Sequence, residues 1–298
     1  MSAVLEERGA TWLRFRFGSF RCTVVSDGVL ELGSPETNFP GHAPGEVRRL
    51  LENLGLPTDQ IRLEQNILIV DTGANVVMFD SGVGSDPAWG QRRFGTQTGQ
   101  LLTGLAAAGI DPASIDTVVI THAHPDHVWG LVNEHGQKNF PTATVAISRT
   151  DFAHFTDTST LGPSSTGPQT DRIEGARRNL LPYESGLRLF EGDATIVPGI
   201  TSTATPGHSP GHSVFTVTSD GASFVFWGDL CHHEVLLRHP QWSVVFDHDA
   251  AAAATERLRI LGQITEQKLD VLSYHFAFPG FGALRTTDDG YEWVRQTW

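Results

Sequence analysis

The side chains best suited to chemistry lie together in Thr121-His122-Ala123-His124-Pro125-Asp126-His127, where three imidazoles and a carboxylate are separated by at most one residue. The β-branched run Thr117-Val118-Val119-Ile120 before them reads as a buried strand. His122 and His124, two apart, therefore leave the strand end on the same side and their nitrogens converge. Pro125 suits the first turn of a helix that Val128-Trp129-Gly130-Leu131-Val132 can continue, which turns Asp126 and His127 toward a second point close by. Imidazole suits zinc, iron and related first-row ions, and an added carboxylate supports a second, harder site. A single histidine is ordinarily a core or surface residue; the density of ligand-type groups is what points to metal.

Three later segments place further ligand types at the ends of apolar runs. In Thr205-Pro206-Gly207-His208-Ser209-Pro210-Gly211-His212, glycines and prolines permit a tight path that could return His212 to the metals. Phe224-Val225-Phe226-Trp227-Gly228-Asp229 ends an apolar strand in a carboxylate, a position at which Asp usually caps a turn or helix. Val271-Leu272-Ser273-Tyr274-His275 is a strand ending in histidine. Asp80, after Val76-Val77-Met78-Phe79, fits either a simple turn or a support for ligands.

The His-x-His-x-Asp-His pattern of residues 122–127 resembles the signature of the metallo-β-lactamase superfamily of hydrolases. The resemblance implies that His122, His124 and His212 hold one ion, that Asp126, His127 and His275 hold another, and that Asp229 is shared. It leaves His208 as a supporting residue and makes Asp80 a support for the ligands. It implies two divalent cations, zinc foremost, with manganese, cobalt or iron suiting similar ligands. Two such ions about 3.5–4 Å apart acidify bound water toward a pKa near 7, so a bridging hydroxide is the expected nucleophile, with Asp126 passing a proton to the leaving oxygen. Acyl-homoserine lactone lactonases carry a substrate-holding tyrosine three residues after the shared Asp; His232 occupies that place here and is the candidate donor to the substrate oxygen.

The segments His275-Phe276-Ala277-Phe278-Pro279-Gly280-Phe281-Gly282 and Gly290-Tyr291-Glu292-Trp293 are similar to the methyl parathion hydrolase group and its lactonase relatives, a likeness spanning roughly residues 60 to 298. Lactone or ester hydrolysis is the expectation it supports. A phosphotriesterase or arylesterase is the alternative, with Trp89, Phe94, Trp129 and Phe276 as candidate pocket walls. A non-catalytic or redox metal protein is a further possibility, opposed by the intact ligand set. Relatives in the group are often dimers, so a homodimer is expected.

Composition sets the outer bounds. The chain has 298 residues, 39% of them hydrophobic, enough for one substantial domain over residues 1–298. Cys22 and Cys231 are too few and too far apart for a disulfide framework and are expected reduced and buried. With 21 basic against 34 acidic residues, the net charge is −13. No basic track for phosphates is visible, so nucleic acid is not an expected partner and a small neutral ester or lactone is. Met1 to Phe20 does not read as a signal peptide and no window approaches a membrane span, so the expected location is cytoplasmic.

The elements that must position the ligands follow from periodicity. Arg21 to Leu32 reads as a strand or hairpin turning at Ser26-Asp27-Gly28, Glu46 to Leu54 as a helix, and residues 66–80 as a hairpin. Helices are expected over Thr98–Gly109, Asp151–Phe155 and Arg172–Leu181, and a long one from Ala250 to about Gln267. A terminal hairpin turns at Asp288-Asp289-Gly290. His42 reads as a solvated loop residue, His154 as core or lid, and residues 156–169 as a loop that is either mobile or a cover for the pocket. The segments fall into two similar halves about residue 185, which predicts an α/β fold: a four-layer αβ/βα sandwich of two mixed sheets flanked by helices.

Overall fold

The apolar runs of each half pair in chain order. In the computed structural model, which describes residues 3–162 and 165–298, the first sheet is built from β1 (Val4–Arg8), β2 (Trp12–Phe17), β3 (Phe20–Glu31), β4 (Arg62–Asp71), β5 (Val76–Phe79), β6 (Thr117–Val119), β7 (Thr144–Ser148) and β8 (Leu187–Phe190), neighbour to neighbour. The second holds β9 (Ala194–Val197), β10 (Ile200–Ala204), β11 (Ser213–Ser219), β12 (Ala222–Phe226), β13 (Asp270–Leu272), β14 (Phe281–Thr287) and β15 (Gly290–Arg295), again in sequence order. Both sheets are mixed. β5 to β8 run parallel, as do β12 and β13, and the other neighbours pair antiparallel.

Aromatic side chains join the two sheets face to face. Phe79 on β5 packs at 5.5 Å from Phe215 and 5.0 Å from Phe226, and Phe17 on β2 meets Phe224 edge-on at 4.9 Å. Such pairs add about 0.5–1.5 kcal/mol each beyond the area they bury. Helix 250–267 covers the outer face of the second sheet, with Ile260, Leu261 and Ile264 buried against a cluster that includes Val214, Val225 and Val271. Leu258, expected on that face, is instead 46% exposed; the 3.6-residue period gives its place in the core to Arg257. No helix among the described residues is long and apolar enough to cross a membrane.

Residues 20–31 form one strand and not a hairpin. The register slips between Ser26 and Val29, and Gly28 takes φ 107°, so Ser26-Asp27-Gly28 is a bulge. The bulge aims the Asp27 carboxylate inward, where it accepts the backbone N–H groups of Val83, Gly99 and Leu101. Within the 156–169 stretch, Pro163 and Ser164 lie outside the described residues; Pro168 already begins helix 168–180.

Parallel pairing is what collects the site. The residues expected to bind metal follow the carboxyl ends of β6, β12 and β13, and Asp80 follows β5, so their loops open on one edge of the sandwich. The β10–β11 connection, residues 205–212, is tied to that edge by Ser213 N–H donating to the carbonyl of Thr121.

Candidate metal centre

Two nests of ligand atoms meet at that edge, His122, His124, His208 and Asp229 in one, Asp126, His127, Asp229 and His275 in the other, with every ligand atom of a nest within 4.8 Å of the rest. In the first, His122 Nε2, His124 Nδ1 and His208 Nε2 lie 2.9–3.1 Å from one another, and Asp229 Oδ2 is 3.2 Å from His208 Nε2 and 3.6 Å from His122 Nε2. In the second, Asp229 Oδ1 lies 3.1 Å from His127 Nε2 and 3.0 Å from His275 Nε2, while Asp126 Oδ2 lies 3.3 and 3.6 Å from the same two nitrogens. Asp229 thus turns one oxygen to each nest. Four ligands about 2.0–2.2 Å from a tetrahedral zinc are separated by roughly 3.3–3.6 Å, so both nests have the size of a first-row metal site.

The hydrogen bonds behind the ligands set which nitrogen is free. His127 Nδ1 is 2.9 Å from Asp80 Oδ2, and His275 Nδ1 donates to the carbonyl of Glu64 at 2.7 Å. His208 Nδ1 is 2.9 Å from Asp247 Oδ1. Thr121 Oγ1 donates to Asp80 Oδ2 and so accepts from His122 Nδ1 at 3.0 Å. With a cation in place, the outer nitrogen of each of these four rings would carry the hydrogen and Nε2 would turn its electron pair toward the nest, whereas His124 presents Nδ1. His127 Nε2 and Asp229 Oδ1 are buried with no hydrogen-bond partner, which is costly unless a cation gathers them.

Protonation follows the same logic. Burial pushes His122 and His124 well below the usual imidazole range, keeping them neutral as ligands must be. Burial would lower His208 and His127 too, but bonds to Asp229 and Asp247 carry His208 to about 9, and Asp229, Asp126 and Asp80 lift His127 well above its ordinary value. Carboxylates that draw protons onto two ligands draw a divalent cation to the same place. The donor set therefore fits two divalent ions.

The structure departs from the sequence expectation at the Thr205–His212 loop. His212, expected as a ligand, accepts the backbone N–H of Asp229 on Nε2 at 3.1 Å and donates from Nδ1 to Thr205 Oγ1 at 2.8 Å. Both its nitrogens are spent on holding the loops, and burial lowers it to about 3. His208 stands in the first nest in its place. Gly207 lies so close to the helix 250–267 that a Cβ would meet Ala253 N at 2.2 Å, and its carbonyl accepts from Asp249 N–H. This docking, with Asp247, aims His208 inward.

Asp80 is a support and not merely a turn, since its carboxylate accepts from Thr121 N–H and Oγ1 as well as His127. Asp151 was not singled out in the sequence. Its buried carboxylate accepts from Ala123 N–H, Ser209 Oγ and Gly211 N–H, clamping the His122–His124 segment to the His208 loop.

Above the nests lies a cleft walled by Leu30, Leu32, Leu63, Phe94 and Phe246 and floored by Asp126, Asp229 and His232. His232 is 3% exposed, with Nε2 3.0 Å from Asp229 Oδ2 but not aligned with it, so both ring nitrogens lack a partner. Of the four aromatics expected in the pocket, Phe94 alone lines this cleft. Trp129 is buried against Trp89 and Phe94, and Phe276 against Trp227 and Trp293, because each follows its element into the core. His42 stacks on Trp242 at 3.6 Å. His154, expected as core or lid, is exposed and lines a second cavity that shares His124, Arg172 and Phe246 with the cleft.

The model of the family described as "Metallo-beta-lactamase superfamily" matches residues 61–267. N-acyl homoserine lactonase AiiA of Bacillus thuringiensis subsp. kurstaki is 24% identical over 165 residues, 55% of this chain and 58% of the relative. The chain thus aligns with just over half the length of the curated relatives it matches first. Among solved structures, hydrolase AbOPH of the beta lactamase superfamily superposes with a TM-score of 0.88 at 25% identity, over 98% of this chain and 99% of that one. AidC, a dizinc quorum-quenching lactonase, gives 0.85 at 22% identity over 99% and 98%. The signature of residues 122–127, the paired mixed sheets and the family match agree: the chain belongs to the metallo-β-lactamase superfamily.

Proposed function

We propose that the protein is a dinuclear metal-dependent hydrolase that opens a lactone or ester. The observation that carries this reading is the pair of oxygens of Asp229 facing two separate nests of imidazole and carboxylate. His122, His124, His208 and Asp229 would hold one divalent ion, and Asp126, His127, His275 and Asp229 the other, zinc being the first candidate. When bound, such a pair supplies an acidified water as nucleophile and a Lewis acid for the carbonyl oxygen.

The remaining work falls to the chain's own side chains. Asp126 lines the cleft, and its side chain keeps 13% exposure among otherwise sealed ligands. Its carboxylate takes the proton released as water adds to the carbonyl and returns it to the leaving alkoxide, which balances the hydrolysis. Burial holds His232 neutral, lowering it to about 4, so it keeps one N–H to donate to the oxyanion that develops on the substrate carbonyl. The leucine and phenylalanine walls exclude water from an apolar acyl or alkyl portion.

The lactonase names of the relatives support a lactone as the first substrate class. Side-by-side kinetics on metal-replete enzyme with acyl-homoserine lactones, other lactones, aryl esters and a phosphotriester test it. A lactone should give the highest kcat/KM, and turnover of the phosphotriester alone would reverse the assignment. In the same assay His232→Phe should lower kcat by about 10²-fold, the usual effect of losing one oxyanion donor, with both ions retained. Unchanged kinetics would remove His232 from the mechanism.

A further inference from the structure

Among the described residues, no hydrogen-bond or ion-pair partner meets the guanidinium of Arg172. It lines both the cleft over the nests and the second cavity, at the neck where the two share His124 and Phe246. Its Nε is buried with no hydrogen-bond partner, and no carboxylate among the described residues lies within ion-pair distance of it. Most arginines elsewhere follow another pattern: Arg14, Arg48, Arg178 and Arg285 each meet a carboxylate at about 3 Å or less. A buried donor left unmade costs free energy that a ligand recovers on binding.

Charge points the same way. The carboxylates around the nests are already engaged, Asp80 with Thr121 and His127, Asp151 with Ala123, Ser209 and Gly211, and Asp247 with His208. Arg93, at the same cleft, is already paired with Asp171 at 3.2 Å. Asp157, on the wall of the second cavity, is occupied by the N–H and Oγ of Ser159.

We infer that Arg172 is a specificity-determining residue that binds a carboxylate carried by the substrate beside its scissile ester or lactone bond. This deepens the hydrolase reading and rests on it: the substrate class becomes an anionic lactone or ester in place of a neutral one, with its carboxylate at the neck and its scissile carbonyl over Asp229. A bidentate guanidinium–carboxylate pair fits this use, because its planar fork matches the two oxygens.

The test pairs the mono-4-nitrophenyl ester of glutaric acid with the neutral 4-nitrophenyl pentanoate. Wild-type kcat/KM should favour the carboxylate-bearing ester at least tenfold, Arg172→Gln should lower that ratio at least tenfold, and Arg172→Lys should keep part of it. Arg92→Gln, exposed and outside the cleft, should leave the ratio intact. In parallel, calorimetric titration of metal-loaded protein with glutarate and with butyrate reads the subsite without turnover. Wild type should bind glutarate at least tenfold more tightly, and Arg172→Gln should abolish the difference. If neither ester turns over while the calorimetric preference appears and is lost in Arg172→Gln, the hydrolase reading fails and the subsite stands. If both esters turn over with a ratio near one, or if Arg172→Gln leaves the ratio and the binding preference within twofold, the subsite is refuted. Should Arg172→Gln fail to fold, an Arg172→Lys ratio within twofold of wild type would refute it, and one lowered further than that toward unity would support it.

Discussion

His208→Ala is expected to bind one divalent ion per chain in place of two and to lose about 10²–10⁴ in kcat/KM, the scale of several kcal/mol of lost charge stabilisation. The reason is geometric. His208 Nε2 lies within 3.2 Å of two imidazole nitrogens and of Asp229 Oδ2. His212→Ala should keep both ions. Its ring touches Asp229 through the backbone N–H and Thr205 through the hydroxyl, so its loss leaves buried groups unpaired and costs about 1–3 kcal/mol of stability. Elemental analysis of the two purified variants decides the matter, and an ion lost from His212→Ala but retained in His208→Ala would restore the expectation drawn from the sequence.

Chelation should lower the melting temperature by about 10 °C or more. A ligand present at a thousand times its dissociation constant stabilises the folded state by about 4 kcal/mol, and each kcal/mol moves the midpoint of a chain this large by roughly 2–4 °C. Two nests double the leverage. The proposed ligands come from the ends of β6, β12 and β13 and from the β10–β11 loop, so bound ions would cross-link both sheets and could not be held before these meet. Differential scanning calorimetry with and without chelator, followed by readdition of zinc, measures the shift. A midpoint indifferent to chelator would mean that the nests are held by protein contacts alone.

Much of the proposed centre is legible in the chain because its candidate ligands sit where simple rules place them. His122 and His124 share one side at the fraying end of β6, Pro125 starts a helical turn, and Asp229 and His275 end apolar strands whose length and composition mark them. The halves about residue 185 correspond to the break between β8 and β9. The choice between His208 and His212 was not legible. Both follow a Pro-Gly pair, and what separates them is long-range: Asp247 and the helix 250–267 on one side, the Asp229 backbone and Thr205 on the other. The Asp27-Gly28 bulge was hidden for a related reason, since its turn residues serve groups at 83, 99 and 101 that only the fold brings near. Arg172 carries no local signature, and its role depends on the absence of a partner that the sequence offers in abundance.

The central claim is that two cations share Asp229 between two nests. Anomalous diffraction from crystals of the metal-loaded protein, collected on either side of the metal absorption edge, tests it most directly. Two peaks are expected, one enclosed by His122, His124, His208 and Asp229, the other by Asp126, His127, His275 and Asp229. A single peak, none, or a peak against Nε2 of His212 would contradict it.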